Sequence, residues 1–170
     1  MPTLHVCPLS RLPETLAQTG AATLLTLMKA GTAIARPEGI AEGRHCVVEV
    51  SDIAAPLEGH VLADEGHIGR ILDFVAAWDR AEPLVIHCYA GISRSTAAAY
   101  IAACALAPER DEEAIADALR AAAPSATPNP LFVAIADRML GRDGRMSAAI
   151  ARIGRGADAF EGTPFSLALT

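Results

Sequence analysis

Aromatic side chains are scarce in this 170-residue chain: one Trp, two Tyr and four Phe, 4% in all. Apolar residues still make up 52% of it, much of that alanine, so the core is expected to rest on closely packed helices. That composition excludes a disordered chain. No basic block is present and the formal net charge is −6, which argues against a nucleic-acid groove or an anionic membrane surface as partner. Every long apolar stretch is broken by Gly, Pro or charge, so no transmembrane span is expected. The opening MPTLHVCPLSRLPETL lacks the basic region and long apolar run of a secretory signal. Cys7, Cys46, Cys88 and Cys104 show neither paired spacing nor a metal-ligand pattern, and C-x-x-C is absent. Free thiols in a reducing cytoplasm are the simplest expectation. The length fits one domain, 1–170.

What is present alternates. Residues 3–9, 22–28, 44–50 and 83–88 read as short strands, the last opening on Pro83 where proline is tolerated. Residues 12–20, closed by Gly20, read as a short helix, and 64–81 has apolar residues at 68, 71, 72, 75 and 78 with Asp64 as cap. The stretch STAAAYIAACALA (95–107) is apolar on all sides and is expected at the centre of the molecule. Residues 110–123 and 129–140 read as further helices, the latter with Asn129 as cap and Pro130 behind it. One more short helix and an irregular tail, from about 155 to 170, complete the chain. The order predicts an α/β fold with a central, mainly parallel sheet of four to five strands flanked by helices.

One stretch carries chemistry: HCYAGISRS, residues 87–95. A strand ends at His87 and a helix begins near Arg94. The turn between them, Tyr89, Ala90, Gly91, Ile92 and Ser93, is short enough to point successive backbone N–H groups inward, making an anion nest at a helix N-terminus. A cation at that end of a helix is unfavourable unless an anion sits there too. Arg94 can offer such an anion a two-pronged guanidinium. Cys88, at the base of the nest, sits where helix dipoles and cations lower thiol pKa values from about 8.5 to roughly 3.5–7.5. A thiolate beneath a tetrahedral phosphate is placed for in-line attack.

The nine residues resemble the signature loop of the cysteine-dependent protein tyrosine phosphatase superfamily: His-Cys, five residues, Arg, then Ser or Thr. The resemblance implies that fold and a set of roles. Cys88 would be the nucleophile that becomes phosphocysteine. Arg94 would bind phosphate and the transition state, 89–93 would supply backbone N–H groups, Ser95 would donate to the departing thiolate, and His87 would fix the loop. No cofactor or metal is implied. The cysteine lies mid-chain, unlike the low-molecular-weight branch. The loop is longer than the usual rhodanese one and has no lysine to bind polyanionic lipid. The small bacterial or dual-specificity-like branch fits best. The substrate would be a phosphorylated protein or a small phosphoester. The alternatives are an inactive phosphoprotein-binding relative and a thiol sulfurtransferase.

Such an enzyme needs a general acid on a separate loop. Asp52 follows the strand at 44–50 and should emerge at the same sheet edge as Cys88. Asp64 is the rival, but a helix cap accounts for it. Asp73 and Asp79 fall in or at the end of a helix, and Glu58 has no anchor. Asn129 either steadies the loop, as in many dual-specificity members, or simply caps its helix. His45, His60 and His67 are expected to be surface or packing residues. Cys46 and Cys104 read as buried apolar side chains, with a protective disulfide to oxidised Cys88 as the sharper alternative. Oligomeric state is not encoded in any of these features.

Overall fold

The computed structural model describes residues 2–170. Five strands, β1 (Thr3–Pro8), β2 (Thr23–Met28), β3 (His45–Glu49), β4 (Leu84–Cys88) and β5 (Phe165–Ala168), form one sheet in the order β3-β2-β4-β1-β5. The first four strands are parallel and β5 runs antiparallel to β1. The fold class is therefore the expected one. β2 and β4 lie inside the sheet and are buried at every position, as their near-continuous apolar runs require of parallel strands covered on both faces.

Six helices cover the sheet: α1 (Leu12–Thr19), α2 (Glu65–Ala77), α3 (Arg94–Leu106), α4 (Glu112–Ala122), α5 (Pro130–Met139) and α6 (Arg145–Ile153). The alanine-rich α3 is buried continuously from Ser95 to Cys104 and packs against α2, α4 and α5. Small side chains let those neighbours approach closely, which is how an aromatic-poor sequence fills its core. The opposite sheet face is covered by α1 and Ile40, against Cys7, Leu24 and Val85. No helix among the described residues is long and apolar enough to cross a membrane.

Two expectations need correction. The tail expected to be irregular over 155–170 is irregular only as far as Pro164. Residues Phe165–Ala168 then add β5 to the free edge of β1, with Leu4 opposite Leu167. The helix expected to reach 81 stops at Ala77. Arg80 takes a positive φ of 60°, and the Trp78 indole N–H donates to Glu82 O at 3.0 Å, closing a turn that feeds β4.

The parallel arrangement fixes where chemistry can sit. β1 ends at Pro8 beside Cys88 at the end of β4. β3 leads through Val50, whose N–H donates to Met28 O at the end of β2, into the loop that carries Asp52. The carboxyl ends of four strands thus open onto one edge, where sites in such sheets gather.

Candidate active site

The five-residue turn after β4 is held by its surroundings. The Leu9 N–H donates to Tyr89 O, Gly162 N–H to Ala90 O, Thr127 N–H to Ile92 O and Asn129 N–H to Ser93 O, at 2.7–3.3 Å. Four of the turn's carbonyls therefore point outward to three separate segments. In a planar trans peptide the next N–H points the opposite way, so the N–H groups of Ala90, Gly91, Ser93 and Arg94 face inward. The Gly91 N–H shows this directly by donating to Cys88 Sγ at 3.2 Å. Gly91 has a φ of +68°, and a Cβ there would lie 2.7 Å from Pro8 N. Only glycine fits that close approach to β1.

Cys88 is buried, and its sulfur also lies 3.1 Å from Ser95 Oγ in the first turn of α3. Arg94 reaches back over the turn, and its Nη1 donates to Val50 O at 3.1 Å. Its Nε is buried and has no hydrogen-bond partner. An orphaned guanidinium N–H is costly, and it belongs to the residue that directly follows the turn of inward N–H groups. The donor set suits a tetrahedral oxyanion.

His87 is buried on the far side of β4, with Nδ1 3.3 Å from Cys88 O and Nε2 2.8 Å from Thr26 Oγ1. Thr26 Oγ1 in turn lies 2.9 Å from His45 Nε2. Burial pushes the His87 pKa down to about 4; the bond to Cys88 O opposes the shift, while His45 and Arg94 add to it. The ring is thus neutral, with one N–H. That proton belongs on Nδ1, because Cys88 O can only accept. Nε2 then accepts from the Thr26 hydroxyl, which accepts from His45 Nε2–H. His45 is therefore more than a packing residue. It ends a chain that orients the histidine preceding the cysteine.

Asp52 stands at the other rim. Its Oδ1 accepts from Ser93 Oγ at 2.6 Å and from Asn129 Nδ2 at 2.9 Å. Asn129 caps its helix as expected, while its amide nitrogen holds the Asp52 loop rather than the 87–95 turn. Its Oδ1 caps α5 through the N–H groups of Leu131 and Phe132, while its Nδ2 holds Asp52 and Ile53 O. The loop bearing Asp52 is closed at its neck by bonds between Ser51 and Val61 and is exposed between them. Asp64 is an exposed cap of α2 in a reciprocal pair with His67, which accounts for both residues. Glu58 and His60 lie exposed in the Asp52 loop, and Asp79 pairs with Arg44 beyond the end of α2.

Cys46, Cys104 and Cys7 are unpaired. Burial raises all three thiol pKa values, Cys7 to about 11 and Cys104 to about 12. None is placed to bridge Cys88. Cys46 is on β3, two strands away from β4, about 10 Å at normal strand spacing. Cys104 lies nine positions beyond Ser95 on α3, about 14 Å along the helix. Cys7 belongs to the core on the opposite face of the sheet. A disulfide needs Cα atoms within about 7 Å and converging Cβ vectors. Among the described residues, no group of three or more His, Cys, Asp or Glu could hold a metal ion.

The chain is similar in three dimensions to several solved structures. It is similar to DUSP15, with a TM-score of 0.64 and 15% identity over 89% of this chain and 92% of that one. It is also similar to the PTP-2 phosphatase of Cydia pomonella, with a TM-score of 0.60 and 19% identity over 79% and 84%. The fold is protein tyrosine phosphatase-like. At these identities the likeness is one of architecture. No family model matches the sequence, and no curated protein matches it.

Proposed function

We propose that this protein is a phosphomonoester hydrolase of the tyrosine or dual-specificity phosphatase type, acting through a phosphocysteine on Cys88. The observation that carries the reading is the nest itself. Inward N–H groups of the turn gather above a sulfur that already accepts the Gly91 N–H and lies beside Ser95 Oγ, and Arg94, which follows the turn, keeps an unpartnered Nε.

In the first step the Cys88 thiolate attacks phosphorus. The S–P bond forms as the P–O bond to the leaving group breaks, and the leaving oxygen takes a proton from Asp52. The N–H groups of the turn and the Arg94 guanidinium carry the charge on the three equatorial oxygens. In the second step the Asp52 carboxylate takes a proton from water. The new P–O bond releases inorganic phosphate and returns the thiolate, which the Ser95 hydroxyl stabilises. Ser93 and Asn129 both bond Oδ1 of Asp52, so Oδ2 is the oxygen that exchanges the proton. His87 positions the turn through Cys88 O.

The test is turnover of p-nitrophenyl phosphate between pH 5 and 7, with Cys88→Ser as the inactive control. Asp52→Asn is expected to slow turnover about 100-fold or more while vanadate still binds. Absence of turnover by the wild-type protein overturns the assignment. Unchanged turnover in Asp52→Asn overturns the role given to that carboxylate alone.

A further inference from the structure

Between α6 and β5 the chain runs as a strap, residues 154–164, along the outer edge of the phosphate loop. Its first pin is the Gly156 N–H on Thr127 Oγ1 at 3.0 Å, followed by the Ala157 N–H on Pro124 O at 2.9 Å. Its second is the Gly162 N–H on Ala90 O at 2.7 Å. The approach at the second pin is so close that a Cβ on Gly162 would lie 2.5 Å from Gly91 O. The Ser10 hydroxyl, donating to Glu161 Oε2 at 2.7 Å, adds a third hold.

Between those pins the strap turns Phe160 into solvent, 92% exposed. A chain with so few aromatic residues gains nothing for its own core by doing this. Among the described residues, the large apolar side chains left exposed are Leu9, Leu57, Tyr89, Met139 and Phe160. Four of these border the candidate site. Tyr89 is the first residue of the loop, and Leu9 bonds to it. Leu57 is on the Asp52 loop, and Phe160 on the strap. Phe160 lines a shallow hollow of about 360 Å³ together with Ile92 of the loop, Thr127, Ala157, Ala159 and the Arg155–Asp158 pair. The strap's single cation, Arg155, is paired with Asp158 at 2.7 Å, and Glu161 adds negative charge.

We infer that Phe160, with the hollow it lines, is a docking rim for an apolar side chain flanking the phosphorylated residue of a protein substrate. The inference rests on the phosphatase reading given above. A pinned strap holds its aromatic ring in place before binding, so little ordering cost remains. Its continuity with the loop at Ala90 and Ile92 puts any bound group next to the phosphate. An anionic lipid surface would require unpaired cations here, and the strap's cation is paired. Acidic flanking residues would meet Asp158 and Glu161.

Phe160→Ala, which removes an exposed ring, tests this with three substrates: p-nitrophenyl phosphate, a phosphotyrosine peptide flanked by Leu and Phe, and one flanked by Gly and Ser. The wild type is expected to favour the apolar peptide. In Phe160→Ala, kcat/KM on that peptide should fall about tenfold, chiefly through KM. The other two substrates should stay within twofold, and Phe160→Leu should recover most of the loss. Equal loss on all three substrates, or none on the apolar peptide, overturns the inference. So does a wild-type dimer in sedimentation that Phe160→Ala dissolves without changing peptide rates, since the ring then serves a second copy. A wild type that hydrolyses p-nitrophenyl phosphate but shows no flank preference refutes the rim alone. A wild type that hydrolyses none refutes the phosphatase reading.

Discussion

Lowering the pH should destabilise this protein through His87 before its carboxylates titrate. The ring is buried at 2% exposure, and burial pushes its pKa from the ordinary 6.5 down to about 4. The unfolded chain therefore binds a proton in the intervening range that the folded chain refuses, so stability falls as pH falls from about 6.5 and levels off below about 4. At about 1.4 kcal/mol per unit the full loss is about 3 kcal/mol, of which about 2 kcal/mol is gone by pH 5. For a chain of this length that intermediate loss is a Tm drop of roughly 4–8 °C. His45 and His5 are lowered by burial as well and add to the slope with the same sign. The assay is urea unfolding at pH 7, 6, 5 and 4, compared with His87→Gln, whose amide can keep a bond to Thr26 but does not titrate. The variant starts less stable, and its curve should be flatter by about 2 kcal/mol between pH 7 and 5. Parallel curves for the two proteins would show that His87 is not held neutral by the fold, and the proton order derived along Thr26 and His45 would fall with it.

Asn129→Ala should cost about 1 kcal/mol for the lost cap of α5 and slow turnover by freeing Asp52. Asn129→Asp keeps a cap acceptor but sets a carboxylate against Asp52, so a thermal melt should show a smaller deficit at pH 4 than at pH 7. Gly91→Ala forces a Cβ to within 2.7 Å of Pro8 N at a φ of +68°; calorimetry should show a lower Tm and titration a loss of vanadate binding. Glu112 is buried between Arg142 at 2.8 Å and Arg145 at 3.2 Å. Glu112→Ala leaves the buried Arg142 unpaired, at a cost of about 3–5 kcal/mol in urea unfolding, whereas surface Arg152→Ala should cost less than about 1 kcal/mol.

What the sequence made legible is what is local in it. The nine residues 87–95 place strand end, turn and helix start side by side, so a contiguous pattern was enough to bring Cys88, Arg94 and Ser95 together. Strand order also carried Asp52 to the right edge, because parallel strands send their following loops the same way. β5 was missed although its signal exists: Phe165, Leu167 and Leu169 alternate with Ser166 and Ala168, and the burial follows that alternation. Four residues at a chain end form a strand only when an edge is there to receive them. The bonds from Ser93 and Asn129 to Asp52 span 41 and 77 positions, and the chain from His87 to Thr26 spans 61. No local periodicity reports such pairs, since each residue has a sufficient local reason to be present as a cap, a turn residue or a strand threonine.

The inward orientation of the loop's N–H groups is likewise not a property of the nine residues. A turn of this length can hold its peptide planes in several ways, and inward N–H groups repel one another without an anion. Here the planes are set from outside, by the donors from Leu9, Thr127, Asn129 and Gly162 that take the four carbonyls. Two of those donors belong to the segment before α5, one to the turn after β1, and one to the strap leading into β5. The nest is thus formed by three segments that meet only when β1, α5 and β5 are in place. Docking of the C-terminal strand therefore completes the outer support of the turn by supplying the Gly162 donor to Ala90 O. A chain cut after Ile153 would keep all nine signature residues yet lose the donor on Ala90. Its Cys88 would then face a looser ring of N–H groups, with vanadate affinity reduced even where the remaining fold persists.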